Sequence, residues 1–564
     1  MLLEKLVEYY SRLDPTPTMY QNTPIKWLID LNKEGRLLGF TATSGKERKR
    51  DRGVGHLVPH LGRASGIKAK LLADNGEYVL GVAREKTQYE KVKERHGAFI
   101  KQVRECAEDI QEPSVQAVLR FLTEQDATKL PLPEDFDPSM NLTFRVAEVW
   151  PVDLPKVREF WARKAVSGTN AMQCLICGHE KTPVKRLAFK IKRIPGGQTS
   201  GMALISANAE AFESFGLTES LIAPTCQECG EKFSKAANAL IEDNKTSLAI
   251  GPLRYIFWTK KKEGFSFATL LTKPEPGEVK LLLEAAFTGK RRATEVDPNP
   301  FYAAALGASG GRVAVRDWLD STVGKAKNNL ARYFVLQNIV ERDGGEGHPI
   351  GLFALAASAV QDASKGLPPN IPQSLLHVAL KGGVLPSGLL AQAVKRNHAE
   401  QTVTRPRAAL IKMVLLSQQP EIKEVDAMID LDPQHAKPGY QCGRLLAVLE
   451  SIQRAALPGI NSTITDRFFG TASTAPASVF SRLIRGAQAH LGKLRRDRPG
   501  TYEALERKLE EVHSNLETYP KVLTLEEQGL FALGYYHQRA FDRASAIAHK
   551  QQKEKLSSEK PQNA

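Results

Sequence analysis

The chain has 564 residues, several times the usual single-domain length, which predicts roughly three or four domains and excludes a fibrous or peptide-sized protein. Hydrophobic residues make up 42% and charged residues 25%, as in an ordinary globular protein. The 78 lysines and arginines exceed the 63 acidic residues, so the formal net charge is +15. This charge favours a polyanionic partner, with nucleic acid the first candidate and a merely soluble basic protein the alternative.

The N-terminal residues and the cysteine content predict a cytoplasmic protein without a membrane anchor. Glu4 and Lys5 place charges where a signal peptide needs an apolar stretch, and no later segment approaches the roughly 20 apolar residues of a membrane span. Six cysteines in so long a chain are too few and too unevenly spaced for a disulfide framework. Four of them form two Cys-x-x-Cys pairs, which indicates a metal site.

The first 160 residues predict an α+β domain. Strand-like runs at 77–82 and 143–147 occur beside a helical pattern around 115–122. The same region contains a charged segment, residues 44–53, that is bounded by glycines and is either a solvated loop or a phosphate clamp. The candidate phosphate-binding residues of this basic loop are Lys46, Arg48, Lys49, Arg50 and Arg52.

Residues 161–270 carry both cysteine pairs and predict a zinc-knuckle module. Four thiolates suit tetrahedral zinc, and a two-residue gap lets both sulfurs of a pair reach one ion. We therefore predict a structural zinc site, with a redox-active pair or an empty site as the alternatives. The chain between the pairs is longer than in a compact zinc ribbon, so it must leave the metal and return. The predicted ligands are Cys174, Cys177, Cys226 and Cys229.

This excursion contains a cationic run and a glycine-rich segment. The run, residues 185–193, is strand-like and has no acid; its candidate phosphate ligands are Lys190, Lys192 and Arg193. In residues 195–201, glycines on both sides of polar residues let the backbone approach a ligand closely, while amide and hydroxyl groups bond to base edges or phosphates. A polar glycine-rich loop is more often only a turn, so the spacing alone is a weak indication. The polar residues are Gln198, Thr199 and Ser200.

The second half of the chain is predicted to be mainly helical. Residues 271–430 read as a mixed connecting domain whose clear strand is 312–318. Four amphipathic patterns follow, the last beginning at Thr524 and Glu527, which have the spacing of a capping box. Their short connections predict a four-helix bundle. The second of these helices carries a cationic cluster that suits a phosphate backbone or is a solvated face, formed by Arg482, Arg485, Lys493, Arg495 and Arg496.

The predicted fold class is therefore multidomain α+β, with an inserted four-cysteine zinc-knuckle module and a C-terminal all-α four-helix bundle. The predicted domains are an N-terminal domain at 1–160, the zinc-knuckle module at 161–270, the connecting domain at 271–430, the bundle at 431–550 and a disordered tail at 551–564.

Motifs for catalysis are not convincing. The glycine-rich residues 307–311 lack the lysine of a phosphate loop, and His56 and His60 lack acids at ligand spacing. We therefore expect a protein that is not an enzyme, and we disfavour a nuclease or helicase.

Several segments resemble the large subunit of the type I-C CRISPR Cascade, and the resemblance is collinear over nearly the whole chain. The C-terminal two of these segments are the most specific. The segments are residues 2–10, 206–216, 312–318, 443–450 and 529–539.

The resemblance implies a non-enzymatic subunit of an RNA-guided DNA surveillance complex in antiviral defence. In that family the N-terminal part reads the protospacer-adjacent motif as duplex, promotes R-loop formation, and presents a docking surface for a helicase-nuclease. Further sequence choice is left to base pairing with the guide RNA. The residues that match the family's glycine-rich and Ser-x-Asn motifs, and are therefore the candidates for the motif duplex, are Gln198, Thr199, Ser200 and Asn208.

The implied partners are guide RNA, target double-stranded DNA, the backbone and RNA-processing subunits of the complex, and the helicase-nuclease. The C-terminal bundle is similar to the small subunit, which in this subtype is also translated separately from an internal start. A free-standing zinc-ribbon nucleic-acid-binding protein is the rival interpretation. The helical C-terminus disfavours this rival, because a monomeric binder has no need of a small-subunit module.

Overall fold

The computed structural model describes residues 2–44, 51–63, 66–85, 87–124, 130–165, 171–207, 209–287, 297–418 and 428–558. The predicted multidomain α+β class is confirmed, because strands and helices both form and the last part of the chain is helical. The chain folds into a first unit, Met1–Glu242 with Ala304–Asp317, and a second unit, Asp243–Ala303 with Trp318–Ala564. The predicted domain boundaries at 160, 270 and 430 stay predictions.

The strands of the first unit form a four-stranded sheet and two short antiparallel pairs. They are β1 Tyr20–Ile25, β2 Trp27–Leu31, β3 Leu37–Ala42, β4 Val54–Pro59, β5 Ala73–Asn75, β6 Asn141–Val146, β7 Met172–Gln173 and β8 Glu180–Lys181. The sheet has the order β3-β2-β6-β5, with β2 parallel to β6 and the two edge strands antiparallel to their neighbours. Strand β2 is buried at four of its five positions, as expected for an inner strand covered on both faces. The smaller pairs are β1 with β4 and β7 with β8.

Helices cover the four-stranded sheet and build the core of the first unit. Phe144 on β6 contacts the rings of Phe99 and Phe121, with centroids 6.4 and 6.2 Å away. All three side chains are buried, which is the apolar burial that drives this packing. The helices are α1 Leu2–Tyr10, α2 Gly76–Val79, α3 Tyr89–Ile110, α4 Pro113–Glu124, α5 Pro155–Ala165 and α6 Gln227–Glu242.

Two predicted strands of the first unit are wrong, while the strand at 143–147 and the helix at 115–122 are confirmed. The run 77–82 begins as helix α2, because the Asn75 side chain accepts hydrogen bonds from the Glu77 and Tyr78 N–H groups and caps it. The run 185–193, described throughout, forms only an isolated antiparallel bridge between Ile191 and Met202.

The second unit begins with strands that pack an aromatic cluster. Trp258, Tyr302 and Trp318 lie with ring centroids 5.4 to 5.8 Å apart. Strands β9 Ser247–Ile250 and β10 Leu253–Thr259 belong to this unit. Strands β11 Pro300–Ser309 and β12 Arg312–Thr322 contribute only their outer ends to it, because Ala304–Asp317 belong to the first unit. The sheet order is β12-β11-β10-β9. The predicted strand at 312–318 is confirmed within β12.

The remainder of the second unit is helical. The helices are α7 Phe267–Thr272, α8 Pro276–Phe287, α9 Val323–Gln337, α10 Leu352–Ala357, α11 Asn370–Lys381, α12 Ser387–Glu400, α13 Arg405–Ser417, α14 Pro438–Ala456, α15 Ile464–Thr474, α16 Phe480–Asp497, α17 Pro499–Ser514 and α18 Leu525–Ser558. Helices α14 and α18 pack together through glycines: a β-carbon at Gly443 would collide with Phe531 O, and one at Gly534 with Tyr440 O. Only glycine permits so close a backbone approach.

The four C-terminal amphipathic patterns correspond to α14, α16, α17 and α18. The capping box at Thr524 is confirmed by its two reciprocal hydrogen bonds with Glu527, of 2.8 and 3.3 Å. Residues 438–558 are described without a gap and contain a fifth helix, α15, that was not predicted from the sequence. Helices α12 and α13, which precede this region, also pack on α18. Helix α18 continues to Ser558, past the predicted start of the tail at 551. Within the described residues, every helix is too short or too polar to cross a membrane.

Candidate nucleic-acid interface and metal centre

The four cysteines of the two Cys-x-x-Cys pairs meet in the first unit, as predicted. Cys174 and Cys177 lie in the turn that joins β7 to β8, and Cys226 and Cys229 lie at the start of α6. Their sulfur atoms are all within 4.8 Å of one another. The backbone N–H of Cys226 donates to Cys174 Sγ at 3.4 Å, which ties the two pairs together. This donor set, which we name the four-cysteine centre, fits one tetrahedral thiophilic metal ion.

The electrostatics of the four-cysteine centre favour a bound cation. Burial alone would raise the pKa of Cys174, but backbone N–H groups of Cys177, Cys226 and Ile176 reverse this effect and lower it to about 7. Burial raises the pKa of Cys226 and of Cys229. Burial thus disfavours the thiolate form of these two cysteines, and four thiolates at this distance would need a bound cation to compensate their charge.

Helix α6 connects the four-cysteine centre to the cationic run. The side chain of Asn238 on α6 donates to Lys190 O at 2.9 Å and accepts from the Lys192 N–H at 2.9 Å. These two bonds hold the backbone on both sides of Ile191, which in turn pairs with Met202. The start of α6 carries two metal-ligand cysteines, so the metal centre and the segment after Ile191 share one rigid support.

The segment after Ile191 is the predicted glycine-rich loop, and backbone hydrogen bonds join the two ends of this loop. Ile191 and Met202 exchange N–H···O bonds of 2.9 and 2.8 Å, and the Gly201 N–H donates to Gln198 O at 2.9 Å. Gly196 and Gly201 have φ values of 71° and 89°, a backbone that favours glycine. The tip residues Gln198, Thr199 and Ser200 are exposed. We name residues 195–201 the reading loop.

A second hairpin, the turn between β11 and β12, lies against the reading loop. A β-carbon at Gly311 would stand 3.6 Å from Gln198 Nε2. Arg312 pairs with Ala203 in a parallel bridge, and the Val313 N–H donates to Ala203 O at 2.9 Å. The structure therefore brings together the glycine-rich segment and the segment beginning at Arg312, which the sequence presents as separate motifs.

Arg312 also contacts a third loop, the one that carries Phe212. Its guanidinium carbon lies 3.7 Å from the centroid of the Phe212 ring, and its Nη1 donates to Ser206 O at 3.5 Å. A cation this close to an aromatic face is held by the ring quadrupole. Arg312 is a site residue that sequence reasoning missed; the signal that could have found it is the Gly310-Gly311 turn directly before it.

Several predicted phosphate-binding or duplex residues fall outside the described part of the chain. They are Lys46, Arg48, Lys49, Arg50 and Asn208. Arg52 is described and is exposed. Beside it, Asp51 pairs with Lys26 at 3.1 Å, and hydrogen bonds from Ser44, the Gly53 N–H and Lys26 hold the pKa of Asp51 at about 2.

The predicted cations of the run 185–193 differ in exposure. Lys190 is half-buried, whereas Lys192 and Arg193 are exposed. Arg193 lies 3.5 Å from Glu242, an exposed ion pair that screens part of its charge. Lys192 is thus the better placed of these residues for a phosphate.

The cationic cluster of the second unit lies on α16, and its five members are exposed. Arg482, Arg485, Lys493 and Arg496 recur at helical spacing and share one side of α16. Between them, Gly486 and Gly492 leave open space, because a β-carbon at either would meet no atom within 4 Å. We name this surface the cationic face. Exposed cations in such a row can attract a polyanionic backbone.

His56, which lacked an acid at ligand spacing in the sequence, has one in the fold. Its Nε2 lies 3.0 Å from Asp153 Oδ2, and its ring contacts the Trp150 ring at a tilt of 33°, with centroids 4.3 Å apart. Asp153 also accepts from Arg158 at 3.0 Å. Through Asp153, His56 therefore joins β4 to the turn that precedes α5.

Comparison with known proteins agrees with these observations. A family model for CRISPR-associated protein (Cas_Csd1) matches residues 6–541, which is nearly the whole chain. No curated protein matches the chain. The coverage of the family model includes the four-cysteine centre, the reading loop and the cationic face. The chain belongs to the Cas_Csd1 family and is a CRISPR-associated subunit of a Cascade-type complex.

Proposed function

We propose that this chain is the non-catalytic large subunit of a type I-C Cascade. It recognises the protospacer-adjacent motif as duplex, promotes R-loop formation and recruits a helicase-nuclease for antiviral defence. Its partners are guide RNA, target double-stranded DNA, the backbone and RNA-processing subunits, a separately translated small subunit and the helicase-nuclease. Sequence choice beyond the adjacent motif is left to the guide RNA.

The observation that carries the motif-reading part is the construction of the reading loop. Exposed Gln198, Thr199 and Ser200 stand on a loop whose ends are bonded to each other and whose base is bound by α6. Amide side chains in a fixed position can distinguish bases by their donor and acceptor pattern. Asn208 is proposed to act with these residues.

Zinc is the metal we propose for the four-cysteine centre. The four thiolates Cys174, Cys177, Cys226 and Cys229 would hold it, leaving no open position for a substrate, so its role is structural. When bound, zinc supplies the positive charge that compensates the thiolates. The cysteines themselves fix the start of α6 and, through Asn238, the base of the reading loop.

The cationic face is proposed to bind nucleic-acid phosphates. Its arginines and lysine are exposed and lie along one side of α16, so they would contact successive phosphates of a strand without reading its bases. The basic loop at 44–53 is proposed to bind the duplex backbone in the same sequence-independent way.

Replacing Gln198 with alanine tests the motif-reading proposal. The variant complex should lose roughly 1 to 3 kcal/mol of binding free energy on duplex that carries the motif, because a specific amide contact is removed. It should lose much less on duplex with a scrambled motif. Gel-shift titration of the assembled complex on both DNAs measures the difference.

Gln488→Ala is the matched control, since Gln488 is an exposed glutamine on α16. It should weaken neither DNA selectively. Equal weakening of both DNAs by Gln198→Ala would contradict base reading and reassign the loop to backbone contact.

A further inference from the structure

The loop that Arg312 fastens, residues 209–217, displays an aromatic side chain in full solvent exposure. Phe215 is 98% exposed, and Phe212 on the same loop is 44% exposed. A single exposed apolar residue is ordinary, but a phenylalanine with almost no protein contact is not. We name residues 209–217 the aromatic loop.

The backbone of the aromatic loop is arranged to hold Phe215 outward. Ser214 and Leu217 form an antiparallel bridge, with the Leu217 N–H donating to Ser214 O at 2.9 Å. Between them Phe215 and Gly216 have φ values of 53° and 69°. Turns with two left-handed residues strongly favour Asn, Asp and Gly, so a phenylalanine there is strained. Such strain at an exposed side chain is typical of a functional position.

The base of the loop is rigid as well. Arg312 packs on Phe212, and the N–H groups of Phe212 and Glu213 donate to Ala209 O and Glu210 O at 2.9 Å. These contacts restrict the conformations open to the loop that carries Phe215. Pre-organisation of this kind reduces the entropy lost on binding.

The charge of the aromatic loop disfavours a nucleic-acid backbone as its partner. Residues 209–217 contain Glu210 and Glu213, both exposed, and neither lysine nor arginine. These carboxylates would repel phosphates, in contrast to the net charge of +15 on the whole chain. An exposed aromatic beside acids is instead complementary to an apolar pocket rimmed by lysine and arginine on a protein.

We propose that the aromatic loop docks a protein partner, with Phe215 entering an apolar pocket and Glu210 and Glu213 pairing with cations at its rim. The inference rests on the proposed function, in which the chain recruits a helicase-nuclease, and it takes that protein as the partner. It assigns recruitment to a surface separate from the tip of the reading loop.

The test uses the guide-RNA complex carrying Phe215→Ala, bound to DNA with the motif and a matching target. Biolayer interferometry with purified helicase-nuclease measures recruitment, and gel-shift titration measures DNA binding by the complex alone. We expect recruitment to weaken about tenfold or more, as for a central aromatic anchor, with DNA affinity unchanged. Glu210→Gln with Glu213→Gln should weaken recruitment less and reduce its salt dependence.

Leu38→Ala is the matched control, because Leu38 is 69% exposed elsewhere in the first unit. It should leave recruitment unchanged. Recruitment of Phe215→Ala at the wild-type level overturns the inference, and so does a loss of DNA affinity in that variant, which would assign the loop to nucleic acid. A wild-type complex that binds motif DNA but never binds the helicase-nuclease contradicts the recruitment part of the proposed function and overturns this inference with it. Failure of the wild-type complex to prefer motif DNA would instead contradict the proposed function.

Discussion

The reading loop of the first unit and the cationic face of the second unit both expose polar side chains, but on different supports. The reading loop has no charged residue between Pro195 and Gly201, and its backbone is closed by hydrogen bonds at Ile191 and Met202. The cationic face is the exposed side of one amphipathic helix, and its charges are borne by long, flexible side chains.

If the proposed function is correct, this difference corresponds to the difference between base reading and phosphate binding. Hydrogen bonds to base edges depend on direction, so the donors and acceptors must be held by rigid backbone. Attraction to phosphates depends little on direction, so exposed lysines and arginines on any helix suffice. DNA binding by the reading loop should therefore be sensitive to changes in the residues that support the loop. DNA binding by the cationic face should depend mainly on the charge of the face itself.

Removing the four-cysteine centre should have the largest effect, because it should affect the reading loop and leave the cationic face unchanged. A structural site of four thiolates binds zinc with an apparent free energy on the order of 10 kcal/mol, which becomes folding free energy. Cys174→Ser with Cys226→Ser should reduce the metal content from about one ion per chain to none. It should also destabilise α6 and abolish motif preference while sparing the helices of the second unit. Metal analysis and hydrogen exchange check these outcomes.

Cys442→Ser serves as the control, because Cys442 is buried in the second unit. Its metal content should equal that of the wild type. Wild-type protein without metal, with its cysteines freely alkylated in the folded state, would contradict the site.

The support of the cationic face can be weakened through buried Glu450 on α14. Its carboxylate accepts from Tyr535 at 2.6 Å and pairs with Arg539 at 3.2 Å. Glu450→Ala leaves these partners unsatisfied and should cost about 3 to 5 kcal/mol of stability in the second unit. Metal content of the first unit should not change. Chemical denaturation of the variant and the wild type measures the loss.

The pH dependence of the same residue gives an independent readout. Burial alone would raise the pKa of Glu450, but Arg539, Tyr535 and Arg454 lower it below its usual value. Its contribution to stability is thus present above the unfolded pKa of about 4.3 and is lost as the pH falls through the lower folded value. Glu450→Gln should therefore reduce the loss of stability that the protein shows as the pH falls. An unchanged loss at low pH would contradict the stabilising role of the Glu450 carboxylate.

Neutralising the cationic face should have the smallest effect. The triple variant Arg485→Gln, Lys493→Gln and Arg496→Gln should reduce the slope of log affinity against log salt by roughly 2 on single-stranded DNA, at about 0.7 per phosphate contact. The loss should be the same for every DNA sequence. Lys521→Gln, at an exposed lysine outside α16, is the control. An unchanged slope in the triple variant would show that the cationic face does not contact phosphates.

Features with a local physical cause could be predicted from the sequence. The two-residue gap between paired cysteines brings their sulfurs together within one turn, and the Thr524 and Glu527 side chains reach each other's backbone N–H groups at a helix start. The conformation of residues 77–82 could not be predicted correctly, because an apolar and aromatic run does not reveal that Asn75 caps a helix.

The mixed architecture, the four cysteines of the candidate metal site and the amphipathic C-terminal helices can thus be predicted from the sequence, since each follows from periodicity or spacing over a few residues. That the Gln198 loop, Arg312 and Phe212 meet, and that Asp153 lies beside His56, is visible only in the folded protein. His56 and Asp153 are 97 positions apart in the sequence, and Arg312 and Ser206, which also share a hydrogen bond, are 106 positions apart. Such contacts depend on how sheets and helices pack, which short sequence patterns do not encode.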